Sequence, residues 1–205
     1  PVPKVTRRGG GSALPYKQNL FYKIVKSAVD AAKPYGVPVT IKMRIGIDEE
    51  HETYLTAAKA AAEAGVSWVA LHARFASQLY DGEADWSAIA KLVEFMDGTD
   101  VPVLGNGDIW SGADGVRMME ETGCAGVVVG RGCLGRPWLF KDLVNAFNGE
   151  NTKVTPTLFE VRDIMKRHAI LLTEFFEQEG RAMRDLRKHM AWYLKGFTVN
   201  RELRA

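Results

Sequence analysis

Between residues 38 and 149 the chain alternates short apolar runs with longer amphipathic ones. PVTIKMRIG (38–46) is β-branched and short, and reads as a strand. TYLTAAKAAAEAG (53–65) is alanine-rich and closes on Gly65, so the spacing predicts a helix. SWVALHAR (67–74) is a second strand. DWSAIAKLVEFMDG (85–98) is a helix with Asp85 as N-cap and Gly98 past its end. VPVLGNGDI (101–109) is a third strand, and SGADGVRMMEETG (111–123) a helix between Ser111 and Gly123. AGVVVGRG (125–132) is a fourth strand, with Val127, Val128 and Val129 as a continuous apolar run expected to be covered on both faces. PWLFKDLVNAFNG (137–149) is a helix with Pro137 in its first turn. A helix over 13–36 precedes the first strand.

Strands alternating with helices at this spacing mean βα units and a parallel sheet. Each strand is apolar until its C-terminal end, where the character changes: Lys42 and Arg44, then His72 and Arg74, then Asn106 and Asp108, then Gly130 and Arg131. Within a strand such pairs share one face, because side chains alternate. Chemistry at the C-terminal ends of successive strands is the rule in (β/α)8 barrels. An open doubly wound sheet also fits the alternation, but the strand-end pattern favours the barrel. The fold class expected is therefore α/β, a TIM (β/α)8 barrel, of which four βα units are present.

After Gly149 no strand signal remains. NTKVTPT (151–157) is a polar linker. Thr157 and Glu160 have capping-box spacing. Leu158, Val161, Met165, His168, Leu172 and Phe175 recur at helical spacing, as do Met183, Leu186, Met190 and Tyr193. The division expected is 1–150 as half of a barrel and 151–205 as an all-α appendage.

Composition adds little until charge is located. The 205 residues carry a net +2, yet 153–205 holds 11 basic residues against 7 acidic, while 15–152 holds 13 against 18. A basic C-terminal segment points to a polyanionic partner, the alternative being a solvated helix face. Two cysteines, Cys124 and Cys133, make no disulfide framework and neither has a base partner in sequence. No apolar run is long enough to span a membrane and no signal-peptide pattern opens the chain, so the cytoplasm is the expected setting. No histidine, cysteine or carboxylate spacing fits a metal site.

The glycines at the last two strand ends (Gly105, Gly107, Gly130 and Gly132) allow close backbone approach, and Arg131 adds paired N–H donors. In barrels the loops after the last two strands often cradle a phosphate. Lys42 on the inward side of a strand needs an anionic or electron-rich ligand to offset its desolvation. His72 is expected at the matching level one strand over, in registry with Lys42 and Asn106. Together these residues fit flavin mononucleotide (FMN), with its phosphate at Arg131 and the glycines and its ring edge at Lys42. On the appendage, Arg181, Arg184, Lys188 and Lys195 fall on one helical face near Arg187, His189 and Trp192. A basic stripe beside aromatics suits an RNA backbone.

VTIKMRIG, VALHARFASQLYDGEADW, VLGNGDI, VVVGRGCLGRPWLF and RDLRKHMAWYLKG, in this order over the whole chain, resemble the tRNA-dihydrouridine synthases, in particular the bacterial B-type group. The resemblance implies an FMN-binding TIM barrel followed by a helical tRNA-binding domain, and NADPH-dependent reduction of specific tRNA uridines to 5,6-dihydrouridine. It implies FMN contacts at Lys42, His72, Asn106, Gly107, Asp108, Gly130 and Arg131, and tRNA contacts at Arg184, Arg187, Lys188 and Lys195. It also implies a general-acid cysteine and a target base turned out of the RNA stack. That cysteine belongs immediately before the position of Pro1. The expectation is thus a C-terminal fragment with no catalytic residue of its own, inactive alone, whose opening PVPKVTRRGGGSAL is an active-site loop. Two alternatives stay open: another FMN barrel acting on a free pyrimidine, against which the basic helix argues, and a non-catalytic RNA-binding half-barrel.

Overall fold

The structure, a computed structural model, describes residues 2–198. Residues 199–205 of the expected helical appendage lie outside the described residues. By packing, the chain divides into two compact units: Pro1–Ile109 with Asp114–Val129, and Trp110–Ala113 with Gly130–Ala205.

The first unit holds one sheet of four parallel strands in sequential order. These are β1 (Thr40–Arg44), β2 (Trp68–His72), β3 (Val103–Asn106) and β4 (Gly126–Val128). Two helical pieces come first: α1 (Pro3–Thr6) and α2 (Gln18–Ala32). Then α3 (Tyr54–Ala64), α4 (Trp86–Phe95) and α5 (Gly112–Thr122) join successive strands. Four sequential parallel βα steps are half the complement of a TIM barrel. The helix expected over 13–36 is broken. A 3-10 turn over Gly11–Tyr16 contains Pro15, which cannot donate a backbone N–H, and α2 begins only at Gln18. The opening stretch is likewise not all loop, since residues 3–6 form a helical turn between extended Val2 and Gly9 at φ +78°.

Helix ends follow the sequence signals closely. Asp85 accepts from the Ser87 N–H at 3.0 Å and caps α4. Gly65 closes α3 in the left-handed region at φ +95°. The core is built where apolar stripes meet the sheet. Ala57, Ala58, Ala61 and Ala64 bury one face of α3, which packs on β1 and β2, and Ile89 and Leu92 bury that of α4, which packs on β3. Leu92 is fully buried, and truncating such a side chain to alanine costs about 2–5 kcal/mol. Gly105 of β3 lets α5 approach: a Cβ there would stand 2.5 Å from the Met118 sulfur and 3.1 Å from the Cys124 sulfur.

Two expectations about the strands need correction. Val127–Val129 is not a strand covered on both faces. The strand is 126–128, it pairs only with β3 among the described residues, and its residues are half-buried. An apolar run reports that a strand can be covered, not that this chain covers it. Lys42 and His72 are also not at one level. Lys42 pairs with Ala70, whereas Arg44, His72 and Asn106 form one register row.

The second unit is helical. In α6 (Leu139–Phe147) Trp138 is the N-cap, so Pro137 stands ahead of the helix and not in its first turn. The α6 backbone is closely approached by Gly112, where a Cβ would lie 2.6 Å from the Asp142 carbonyl oxygen. α7 (Leu158–Phe176) opens on a full capping box: the Glu160 N–H donates to the Thr157 hydroxyl at 3.3 Å and the Thr157 N–H to the Glu160 carboxylate at 2.7 Å. α8 (Glu179–Tyr193) packs along α7, burying Val161, Ala182, Leu186 and Tyr193. The apolar spacing overstates this seam at its end, since Phe175 is 79% exposed.

Candidate functional site

In the sheet unit the register row Arg44–His72–Asn106 places three polar side chains side by side at the C-terminal strand ends, on one face. Lys42 lies two residues earlier on β1 and so on the same face. The row Met43–Leu71–Gly105–Val127 points the other way, toward α5 where Gly105 meets Met118. The alternation read in the sequence therefore sorts polar from core-facing side chains, with the level of Lys42 revised.

Each of these groups has a distinct environment. Asn106 is buried and its amide donates to the Val128 carbonyl at 2.6 Å, tying β3 to β4. Gly107 follows at φ +137°, and its carbonyl accepts from the Trp86 indole N–H at 3.1 Å. A Cβ at Gly107 would lie 2.5 Å from the Ala84 Cβ and 3.6 Å from the His72 ring, so only glycine fits between that loop and β2. Asp108 holds φ +54°, and its carboxylate accepts from both terminal nitrogens of Arg74 and from the Ala84 N–H at 2.7 Å. Lys42 has no carboxylate partner among the described residues. It reaches solvent, yet burial of its stem and then the charge of Arg44 push its ammonium below the ordinary 10.5. A cation held in that state favours an anionic or electron-rich neighbour.

Sequence reasoning passed over two arginines as functional supports. Arg44, mostly buried, donates to the carbonyls of Phe75 (2.6 Å) and Leu79 (2.9 Å). Arg74, 1% exposed, donates to the Gly82 carbonyl (2.6 Å) as well as to Asp108. Together they shape the loop between β2 and α4. The signal was present, for both share the face that singled out Lys42 and His72. What the sequence lacked was the loop carbonyls they serve.

In the helical unit Gly130 opens the 3-10 turn Arg131–Cys133. Space is open where a Cβ would stand, so the backbone is accessible to a ligand. The Arg131 guanidinium lies over the Trp110 ring at 5.5 Å from its centre. Arg184, Arg187 and Lys188 lie exposed on α8, and Lys195 is exposed just beyond it. Lys188 pairs with Asp185, while Arg181 stands over Phe176 at 4.4 Å. Inside the helix pair, His168 meets the Tyr193 hydroxyl at 3.1 Å and stacks edge-on with His189, which in turn meets Trp192. Burial, then the nearby His189, holds the His168 pKa below 6.5, with Asp185 acting in the opposite direction.

Both cysteines are free thiols. Cys124 is buried and donates to the Gly126 carbonyl at 3.3 Å, and Cys133 donates to the Gly130 carbonyl at 3.1 Å. Among the described residues no group of histidine, cysteine and carboxylate side chains could hold a metal ion. No described helix is long and apolar enough to cross a membrane.

The chain is similar to known proteins over its whole length. The sequence model of the family described as "Dihydrouridine synthase (Dus)" matches residues 1–205. A "Probable tRNA-dihydrouridine synthase" of Mycobacterium leprae is 55% identical over 204 residues, covering 100% of this chain and 52% of that protein. One of the same description from Treponema pallidum is 38% identical over 199 residues, 96% of this chain and 58% of its own length. The "tRNA-dihydrouridine synthase B" of Pseudomonas aeruginosa is 36% identical over 206 residues, 100% of this chain and 60% of its own. The chain spans about half the length of the curated relatives it matches.

Proposed function

The chain belongs to the dihydrouridine synthase family, and from that membership we propose that it is part of an enzyme that reduces uridines of tRNA to 5,6-dihydrouridine, with FMN as its cofactor and NADPH as reductant. The observation that carries this reading is the match over the full 205 residues together with the polar row at the strand ends.

The residues present suit a flavin. Lys42, a cation with a lowered pKa beside Arg44 and no carboxylate partner among the described residues, offers a donor to an electron-rich ring edge. His72, Asn106, Gly107 and Asp108 follow on the neighbouring strand ends. Gly130, with open space at its Cβ position, and Arg131 suit a phosphate. A flavin held by these residues and reduced by NADPH would supply a hydride to C6 of uracil, with a proton at C5 completing the reduction. The chain's own contribution is orientation. Asn106 spends its amide on Val128, Asp108 spends its carboxylate on Arg74, and both thereby fix the Gly107 turn on which a cofactor would rest.

The proton for uracil C5 has no donor among the two cysteines. Cys124 is buried within the sheet unit and the Cys133 thiol is turned onto a backbone carbonyl. We therefore assign this chain the holding of cofactor and RNA and not the proton transfer, and expect it to be inert toward uridine by itself. Residues 1–150 serve the flavin, and 151–205, with Arg184, Arg187, Lys188 and Lys195, grip tRNA. The setting is the cytoplasm, where tRNA and NADPH are found.

The test is deletion of the reading frame that encodes this chain, followed by mass spectrometry of total tRNA nucleosides. Loss of dihydrouridine at one or more positions, restored by the intact gene, is the expected result. Unchanged dihydrouridine would overturn the reading.

A further inference from the structure

Within the helical unit a cavity of about 730 Å3 is walled by three of the protein's five tryptophans, Trp110, Trp138 and Trp192. Four cations line it as well (Arg131, Arg136, Lys153 and Lys195), and among the described residues no carboxylate does. Neither Lys153 nor Lys195 makes an ion pair among the described residues, and both are exposed. Trp110 and Trp192 are 45% and 39% exposed. Exposed tryptophans beside Lys153 and Lys195 match one ligand chemistry, an aromatic ring carrying a phosphate.

The walls are held in place, which favours a formed site over a chance crevice. Arg136 donates to the Trp110 carbonyl at 3.2 Å, fixing two walls against each other. The strip bearing Lys153 is anchored at the next residue, where the Val154 N–H donates to the buried Asp142 carboxylate at 2.6 Å. Gly135, at φ +67°, lies so close to α8 that a Cβ would stand 2.3 Å from the Trp192 carbonyl carbon.

We propose that this cavity binds a nucleotide unit, its base stacked on the indoles and its phosphate on Arg136, Lys153 and Lys195. A residue of single-stranded RNA and a free mononucleotide share this chemistry. The cavity is inferred from its own walls. That RNA supplies the nucleotide rests on the proposed function above. Arg131, assigned there to the flavin phosphate, is not required.

The experiment uses the intact chain and follows its tryptophan fluorescence during titration with pentauridylate, uridine monophosphate, FMN and inorganic phosphate. Pentauridylate should quench saturably, and the double variant Lys153→Gln/Lys195→Gln should bind it about tenfold more weakly, the scale expected for removing one base stack or one phosphate partner. Both lysines are exposed, and circular dichroism checks that the variant is folded. Trp192→Leu, which keeps an apolar wall but removes the ring, should weaken binding to a similar extent. Uridine monophosphate binding as tightly as the oligonucleotide, with the same sensitivity to the variants, makes a free nucleotide the occupant. No saturable quenching, or equal affinity in the double variant, overturns the site. Displacement of pentauridylate by FMN would give the cavity to the flavin, and displacement by equimolar phosphate would reduce it to an anion site. Both refute the proposal. A deletion strain that keeps its dihydrouridine would remove the proposed function while leaving this titration to be judged by itself.

Discussion

Asp108 accepts from both terminal nitrogens of Arg74, at 2.8 and 3.2 Å, and this paired contact joins the end of β2 to the turn after β3. Arg74 is 1% exposed, and its Nε finds no partner among the described residues. A charge so placed depends on its one carboxylate. Asp108→Ala should destabilise the protein by about 3–5 kcal/mol, the usual consequence of leaving one half of a buried pair alone. The Ala84 N–H and the Gly82 carbonyl belong to the same cluster, so the loop 75–84 should also become protease-sensitive. Chemical denaturation and limited proteolysis check both. A variant as stable as the parent would show that the pair contributes little.

Glycine positions separate strain from collision. Gly36 and Gly135 both hold left-handed backbones, φ +65° and +67°. Nothing lies near a Cβ at Gly36, while at Gly135 the α8 backbone does. Gly36→Ala should therefore cost only the left-handed penalty of about 1–2 kcal/mol. Gly135→Ala should cost clearly more and loosen α8, read as loss of helical ellipticity at a lower temperature.

The histidine pair predicts a pH dependence. The folded pKa of His168 lies below its ordinary 6.5, so the unfolded chain binds its proton first as pH falls. Its contribution to stability is complete above about pH 6.5 and is lost as pH drops through the folded value. The groups facing it are His189 and Tyr193 in direct contact and Asp185, whose charge opposes the shift. Thermal melts on either side of that window, in neutral and in mildly acidic buffer, should show a fall that His168→Gln reduces. An equal fall in that variant would place the effect elsewhere.

Lys42 reaches solvent, so removing its charge should spare the fold. Lys42→Met should keep the parent melting temperature and weaken FMN binding about tenfold or more, the scale of one charge-assisted hydrogen bond, measured by quenching of flavin fluorescence. Unchanged affinity would take Lys42 out of the cofactor site.

Arg184 and Arg187 lie exposed on α8. Arg184→Glu with Arg187→Glu should weaken tRNA binding at low salt and lower the slope of log affinity against log salt by about one for each phosphate no longer met. Filter binding across salt concentrations reads this. A uniform drop in affinity with an unchanged slope would mean that these arginines do not meet phosphates.

What the sequence determined by itself was everything governed by local periodicity: four βα steps, the Asp85 and Thr157 caps, the glycine stops, and the face shared by Lys42, His72 and their neighbours. A two-residue repeat assigns faces wherever a strand lies. Register and coverage depend on other strands and helices, and there the tertiary structure decided. It set Lys42 opposite Ala70 and His72 opposite Arg44, left β4 half-covered, and left Phe175 in solvent. It also gave Arg44 and Arg74 their work, because the carbonyls they hold come from a loop whose path no pattern encodes. Three tryptophans and the cations beside them, spread from residue 110 to 195, became one cavity only when the chain folded.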